Sequence, residues 1–309
     1  MTVNQEKLRA AWFSILSNGI LTGLKLVVGL TMHSVSVIAE AAHSGIDLIA
    51  ALVAFFSVRE SGKPADDTHR YGHGKVESLS GMIEALLIFC AAGYIIFTAV
   101  RKLMHGRMEI EELGIGAAVM AVSAVANFLV SGFLYKVAKR TDSLALEADA
   151  LHLRTDVYTS AGVLGGLIII KLTGMEIVDP IVAIAVALLI VAAACRLTWN
   201  AVQNILDVKL PDDEEDVIRG VLKEHSSSVV EYHKLRTRKS GNVRYIDFHM
   251  VVARTTSLEE SHRMSHIVVE EIKKLLPNCQ ILVHTEPCKN ECTECEAICP
   301  EPHRQPHES

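Results

Sequence analysis

Six long apolar stretches run through the first part of the chain, at residues 11–31, 34–58, 79–101, 113–136, 144–172 and 178–202. Each is close to the ~20 residues a helix needs to cross the hydrocarbon core of a bilayer. Near residue 205 the apolar pattern stops and a charged, amphipathic sequence takes over. The pattern therefore predicts a six-helix, all-α transmembrane bundle followed by a soluble domain. The spans are interrupted by Asn18, Lys25, Glu40, His43, Asp47, Glu84, Asn127, Asp149, His152 and Asp156. Ionisable groups are costly in lipid, so these side chains should face the bundle interior or a wet cavity.

The soluble part has its own periodicities. PDDEEDVIRGVLKEH predicts an amphipathic helix whose acidic first turn complements the helix dipole. HKLRTRKSG and NVRYIDFHMVV predict two strands around a Ser-Gly turn, and IDFHMVV alternates as a strand with one buried face does. SLEESHRMSHIVVEEIKKLL predicts a second helix, opened by Ser257 with Glu260 three residues on, the pattern of a capping box. QILVHTEP predicts a last strand. The order is α-β-β-α-β, a small two-layer α+β domain. The expected division is a six-span domain at 1–208, the α+β domain at 209–287 and a tail at 288–309.

Basic residues orient the spans. Lys7 and Arg9 precede the first span. Arg59, Lys63, Arg70 and Lys75 lie between the second and third, and Lys136, Lys139 and Arg140 lie between the fourth and fifth. The first loop, Thr31 to Ser34, has neither Lys nor Arg. Both termini are thus expected in the cytoplasm, with the chain threaded through the cell (inner) membrane and no cleavable signal peptide. A net charge of −6 gives no support to nucleic-acid binding, and no phosphate-cradling loop points to a nucleotide. Nothing in the residues suggests an enzyme.

Within the spans, His43 precedes Asp47 by four residues and His152 precedes Asp156 by four. Four residues is just over one helical turn, so each pair projects from one helix face. Set toward each other, the pairs offer two imidazole nitrogens and two carboxylate oxygens, a tetrahedral set suited to Zn²⁺. In the loop PADDTHRYGHGKVE, Asp66, His69 and His73 also have metal-ligand spacing, with Asp67 as a substitute for Asp66. Four of the seven cysteines crowd the tail as Cys288, Cys292, Cys295 and Cys299. A cytoplasmic tail is in a reducing compartment, so these read as thiolate ligands for Zn²⁺ or another thiophilic ion rather than as disulfides.

AEAAHSGIDLIAALVAFFSVRESGKPADDTHRYGHGKVESL and EADALHLRTDVYTSAGVLGGL resemble the cation diffusion facilitators, and so do HKLRTRKSG and the terminal HTEPC. The resemblance runs from about residue 8 to 288 and implies a homodimeric divalent-metal exporter with a metallochaperone-like cytoplasmic domain. It implies that His43, Asp47, His152 and Asp156 form the transport site. It also makes Asp66, His69 and His73 an interfacial loop site. His233, His249, His262, His284 and Glu286 would hold regulatory metal, although most matched members have Asp where Glu286 stands. Lys75 and Asp207 would form a structural pair bracing the dimer. His-Asp on both spans implies Zn²⁺ as cargo, and the cytoplasmic histidines as a set imply regulatory Zn²⁺. Because histidine must be neutral to bind metal, protons compete at the site, which gives Zn²⁺/H⁺ antiport. Fe²⁺, Co²⁺ or Cd²⁺ are alternative cargoes, hinted at by the Cys-rich tail. A transport-inactive membrane scaffold or metal sensor is the alternative of a different class.

Overall fold

The computed structural model describes residues 2–31, 35–105, 115–173, 177–226 and 229–288. The chain forms two compact units, residues 1–205 and 206–309.

The first unit is six helices: α1 (Val3–Thr31), α2 (Val35–Ser61), α3 (Val76–His105), α4 (Ile115–Thr141), α5 (Leu144–Thr173) and α6 (Val178–Ile205). Several run past the apolar stretches that announce them. α1 begins at Val3 rather than 11, α3 at Val76 rather than 79, and α4 ends at Thr141 rather than 136. The added turns carry Lys, Arg and Glu, which are good helix formers that an apolar count does not register. Among the described residues, Val3–Thr31, Ala41–Ser61, Val76–Arg101, Ala121–Thr141 and Pro180–Ile205 are long and apolar enough to cross a membrane. α5 is 30 residues long and carries Glu147, Asp149, His152, Arg154 and Asp156 in its first half.

The packing of this unit is inverted relative to a water-soluble bundle. Trp12, Phe13, Leu16 and Ile20 of α1 and Phe128, Leu129 and Phe133 of α4 are exposed. Ser14, Asn18, Lys25, Asp47, Glu84, Asp149 and His152 are buried. Apolar outside and polar inside is the arrangement a lipid solvent selects. The helices pack closely through small residues, with Ala85, Ala92, Ala148 and Ala194 in one core cluster. At the end of α1, a Cβ added to Gly29 would sit 2.9 Å from Ile38 Cγ1 and 3.0 Å from its amide nitrogen, so α1 and α2 approach closely there only because residue 29 lacks a side chain. A charged anchor ties α1, α2 and α3 to the turn into α5 at one end of the bundle. Glu77 accepts from Lys7 Nζ at 2.8 Å, from Ser61 Oγ at 2.9 Å and from Ser143 Oγ at 2.6 Å. Lys7, expected only as an orientation signal, is thus the buried partner of a carboxylate.

The second unit has the expected order: α7 (Asp212–Glu224), β1 (Glu231–Ser240), β2 (Val243–Val252), α8 (Leu258–Leu275) and β3 (Cys279–Pro287). β1 and β2 form an antiparallel hairpin whose turn contains Gly241 at φ +58°. β3 returns through α8 to lie parallel to β2, giving the sheet order β1-β2-β3. The capping box forms in part, with Ser257 Oγ accepting from the Glu260 amide at 3.2 Å. Alternate residues of β2, namely Ile246, Phe248, Met250 and Val252, point into the core against Ile218, Val221 and Leu222 of α7 and Val268 and Ile272 of α8. The helices thus cover one face of the sheet. The period of two puts Asp247, His249 and Val251 on the other.

Candidate metal centres

The helical spacing does place each His-Asp pair on one face, and α2 and α5 bring the two faces together. The close contacts cross between helices. His152 Nε2 lies 3.1 Å from Asp47 Oδ1, and His43 Nε2 lies 3.7 Å from Asp156 Oδ1. Donors about 2.0–2.1 Å from one tetrahedral zinc stand roughly 3.3 Å apart, so each pair is close to the spacing that two ligands of one ion would have. His43, Asp47 and Asp156 each offer a donor atom within 4.8 Å of the others. Asp47 and His152 are buried, whereas the His43 side chain is 48% exposed and forms the open edge of the group. His152 Nδ1 and Asp156 Oδ2 are buried without a hydrogen-bond partner. A buried polar atom left unpaired is costly, and a cation bound here would draw on that unmet capacity. The group borders a cavity of about 50 Å³ whose lining also includes Lys25, Ser123, Asn127 and Thr159. Lys25 and Asn127 stood out in the sequence as polar interruptions with no assigned role. Their place in this lining is what the structure adds.

The loop between α2 and α3 folds around Asp66. Its Oδ1 accepts from the Thr68 amide at 2.9 Å and the His69 amide at 2.6 Å. Those bonds, the His69 one foremost, hold the Asp66 carboxyl below the usual carboxylate range. His69 Nδ1 is 3.5 Å from Oδ1 and His73 Nε2 is 3.3 Å from Oδ2, with the two rings 4.4 Å apart. Gly72 takes φ +77°, which lets the chain turn back so that His73 reaches Asp66. Asp67 points elsewhere and pairs with Arg70 at 3.2 Å.

In the soluble unit the strand register builds a third group. His233 of β1 is opposite His249 of β2, which is opposite His284 of β3, so three imidazoles form one row across the sheet. Ring centroids are 5.2 Å apart for His233 and His249 and 4.6 Å for His249 and His284. A break in register after His233, with Lys234 at φ +52°, bends β1 beside the row. Glu286, two residues beyond His284, reaches back along the same face. Its carboxylate is 2.6 Å from His249 Nδ1, 3.5 Å from His233 Nε2 and 3.6 Å from His284 Nε2. The hydrogen bond to His249 holds the Glu286 carboxyl below its usual range. The extra methylene relative to Asp is used to span the row. His262 lies on α8, where its ring packs against His266 at 4.5 Å. Lys75 Nζ donates to the Ile205 carbonyl at 3.1 Å, and Arg238 Nη1 donates to Asp207 Oδ1 at 3.3 Å. Cys288 is buried at the end of β3, its amide bonded to the Val252 carbonyl at 2.9 Å. Cys292, Cys295 and Cys299 lie outside the described residues.

Residues 11–206 match the cation efflux transmembrane domain family, and residues 210–288 match the cytoplasmic domain of cation efflux proteins. The chain belongs to the cation diffusion facilitator family. An uncharacterized transporter of Synechocystis is 30% identical over 268 residues, covering 87% of this chain and 86% of the relative. The cation-efflux pump FieF of Escherichia fergusonii is 31% identical over 280 residues, covering 91% of this chain and 92% of the relative. Among solved structures, one of CzrB, a candidate zinc transporter, is 33% identical over 26% of this chain and 99% of that chain, with a TM-score of 0.25. As a cation diffusion facilitator the protein is a multi-pass inner-membrane transporter of metal cations and not an enzyme, and its C-terminal domain is cytoplasmic.

Proposed function

We propose that this cation diffusion facilitator exports Zn²⁺ from the cytoplasm in exchange for protons. The observation that carries this reading is the meeting of His43, Asp47 and Asp156 from α2 and α5 beside one polar cavity, with His152 3.1 Å from Asp47. Imidazole nitrogen favours Zn²⁺ over the hard octahedral ions that all-oxygen sites select. His43, Asp47, His152 and Asp156 hold the cargo. The same imidazoles bind a proton or the metal but not both, so a site that alternates between the two sides of the membrane exchanges one for the other. The chain works as a homodimer. Its cytoplasmic ligands, His233, His249, His284 and Glu286 with His262, take up regulatory zinc and shift the population toward a transport-ready state. Asp66, His69 and His73 form the loop site, Lys75 and Asp207 brace the dimer, and the tail cysteines add a further zinc-binding segment.

The test is reconstitution in vesicles with an imposed pH gradient, measuring uptake of Zn²⁺, Fe²⁺, Co²⁺, Cd²⁺ and Mn²⁺. Zinc should move fastest, collapse of the gradient should slow it, and Asp47→Ala or Asp156→Ala should abolish it. Preferred movement of Fe²⁺, Co²⁺ or Cd²⁺ would replace the cargo and keep the site. Equal zinc transport by the two variants would refute the site. No movement of any metal would leave a scaffold or sensor.

A further inference from the structure

One stripe of α4 is polar where the rest of its middle is apolar. Ser123, Asn127 and Ser131 follow one another at four-residue intervals, so they lie along one side of the helix. All three are buried, while Val122, Val125, Phe128 and Leu129 are exposed. Ser131 is satisfied within its own helix, its hydroxyl donating to the Phe128 carbonyl at 3.0 Å. Asn127 Oδ1 and Ser123 Oγ are buried without a hydrogen-bond partner among the described residues. An unpaired buried polar atom is costly, and an apolar side chain at either position would avoid the cost. A partner that arrives from outside the chain would meet the need of both atoms.

Ser123 and Asn127 line the cavity beside His43, Asp47 and Asp156. Its volume of about 50 Å³ exceeds the ~10–15 Å³ that one water requires. His43, Asp47 and Asp156 each offer a donor atom within 4.8 Å of the others, and His152 is not part of this lining. An ion that comes through the cavity therefore meets three protein donors first. Zinc held by three protein ligands keeps a water in its fourth position. That water is polarised by the ion and is a strong hydrogen-bond donor, so it needs an acceptor that is not itself a ligand. Lys25 also lines the cavity, but its ammonium, which donates to Ser44 Oγ at 2.7 Å, has no acceptor to offer. Asn127 brings the amide oxygen of this lining, one turn from the Ser123 hydroxyl.

We propose that Asn127, with Ser123 beside it, holds the water that the cargo ion keeps while His43, Asp47 and Asp156 take it up. His152, 3.1 Å from Asp47, then replaces that water as the fourth ligand. Asn127 is a positioning residue for loading and not a ligand of the fully bound ion. The proposal rests on the assignment of His43, Asp47, His152 and Asp156 as the transport site.

The experiment compares Asn127→Leu, Asn127→Ser and Ser123→Ala in the full chain. KM and kcat for zinc are measured in vesicles, and the melting temperature of the metal-free protein in detergent. These substitutions exchange neutral groups for neutral groups, so the buried charges of the bundle, Lys25 and Asp149 included, are the same throughout. Asn127→Leu keeps the approximate volume and removes the acceptor. The lost hydrogen bond is to an ion-bound water, so KM should rise about tenfold while kcat stays within about twofold, because the water has left before the site turns. The same change takes an unpaired acceptor out of the interior, so the metal-free protein should melt at the wild-type temperature or above it. Asn127→Ser restores an oxygen and should recover most of the lost KM. Ser123→Ala should raise KM by about threefold, the effect of one weaker hydrogen bond. A purely structural Asn127 would instead lower the melting temperature and reduce kcat with KM unchanged, and that result overturns the proposal. So does a wild-type KM in folded Asn127→Leu. If Asn127→Leu does not fold, Asn127→Ala is read by the same criterion, and an unchanged KM refutes the idea. Asp47→Ala run in parallel separates the two levels. If it transports normally, the site assignment has failed. If it is inactive while Asn127→Leu has the wild-type KM, only the role of Asn127 has failed.

Discussion

Glu77 is the perturbation whose consequence can be worked most fully. Its side chain is 1% exposed and that of its partner Lys7 is 4% exposed, so this is a buried ion pair. Ser61 on α2 and Ser143 at the turn into α5 add two further hydrogen bonds to the same carboxylate. Glu77→Ala strands the Lys7 ammonium in the interior and removes acceptors from two hydroxyls. Removing one partner of a buried pair typically costs about 3–5 kcal/mol, because the other charge is left uncompensated. For a unit of this size each kcal/mol moves the melting temperature by roughly 2–4 °C, so a loss on the order of 10 °C is expected. The assay is thermal unfolding of the purified protein in detergent, followed by the fraction that stays monodisperse. The double replacement Lys7→Met with Glu77→Leu removes both charges together. It should recover most of the loss, since well-packed apolar substitutes for a buried pair are often neutral or better. If Glu77→Ala melts within about 2 °C of wild type, or if the double variant is as unstable as the sum of the singles, the argument that this carboxylate anchors the helices is wrong.

Other expectations follow from the same structure. Ser257→Ala removes the N-cap of α8 and should destabilise the cytoplasmic domain by about 1 kcal/mol, read from chemical unfolding of that domain's signal in the full chain. Glu286→Gln should weaken zinc binding at the cytoplasmic site at every pH above the acid range. Because protons compete with zinc for the imidazoles, the weaker site should lose its metal at a higher pH than wild type at the same zinc concentration, as a calorimetric titration across pH would show, and an unmoved midpoint would count against Glu286 as a ligand. Asp66, with its carboxyl also held down, stabilises its turn above the ordinary carboxylate pKa and loses that contribution as pH falls through its lowered value. The protection factors of the Thr68 and His69 amides should therefore fall only in strongly acidic buffer, and a fall near neutrality would contradict the sign. Deleting residues 289–309 should reduce the zinc bound per chain, and an unchanged stoichiometry measured by elemental analysis would remove the tail as a ligand segment.

The sequence was readable wherever a regular period carried the information. The four-residue spacing put His43 with Asp47 and His152 with Asp156 on helix faces, and the two-residue spacing of IDFHMVV separated Phe248 and Met250 from His249. What no period encodes is which residues meet across elements. His43 and His152 each lie closest to the aspartate of the other helix, a pairing set by how α2 and α5 cross and not by either sequence alone. The row of His233, His249 and His284 depends in the same way on strand register, and register depends on the turn at Gly241 and on the break after His233.

The polar interruptions of the spans follow this rule with one difference. Their burial could be argued one residue at a time, because lipid excludes charge from every outward position. Their roles could not. Lys7 looked like an orientation signal and proved to be a buried partner of Glu77, and Lys25 looked like a blemish in α1 and lines the cavity beside His43, Asp47 and Asp156. The residue that distinguishes these cases in each instance is the neighbour from a distant segment, Glu77 for one and Ser44 for the other. In a membrane bundle, then, a charge inside an apolar run says where it must point. Its function is decided by the sign and number of the charges that the other helices bring to the same point.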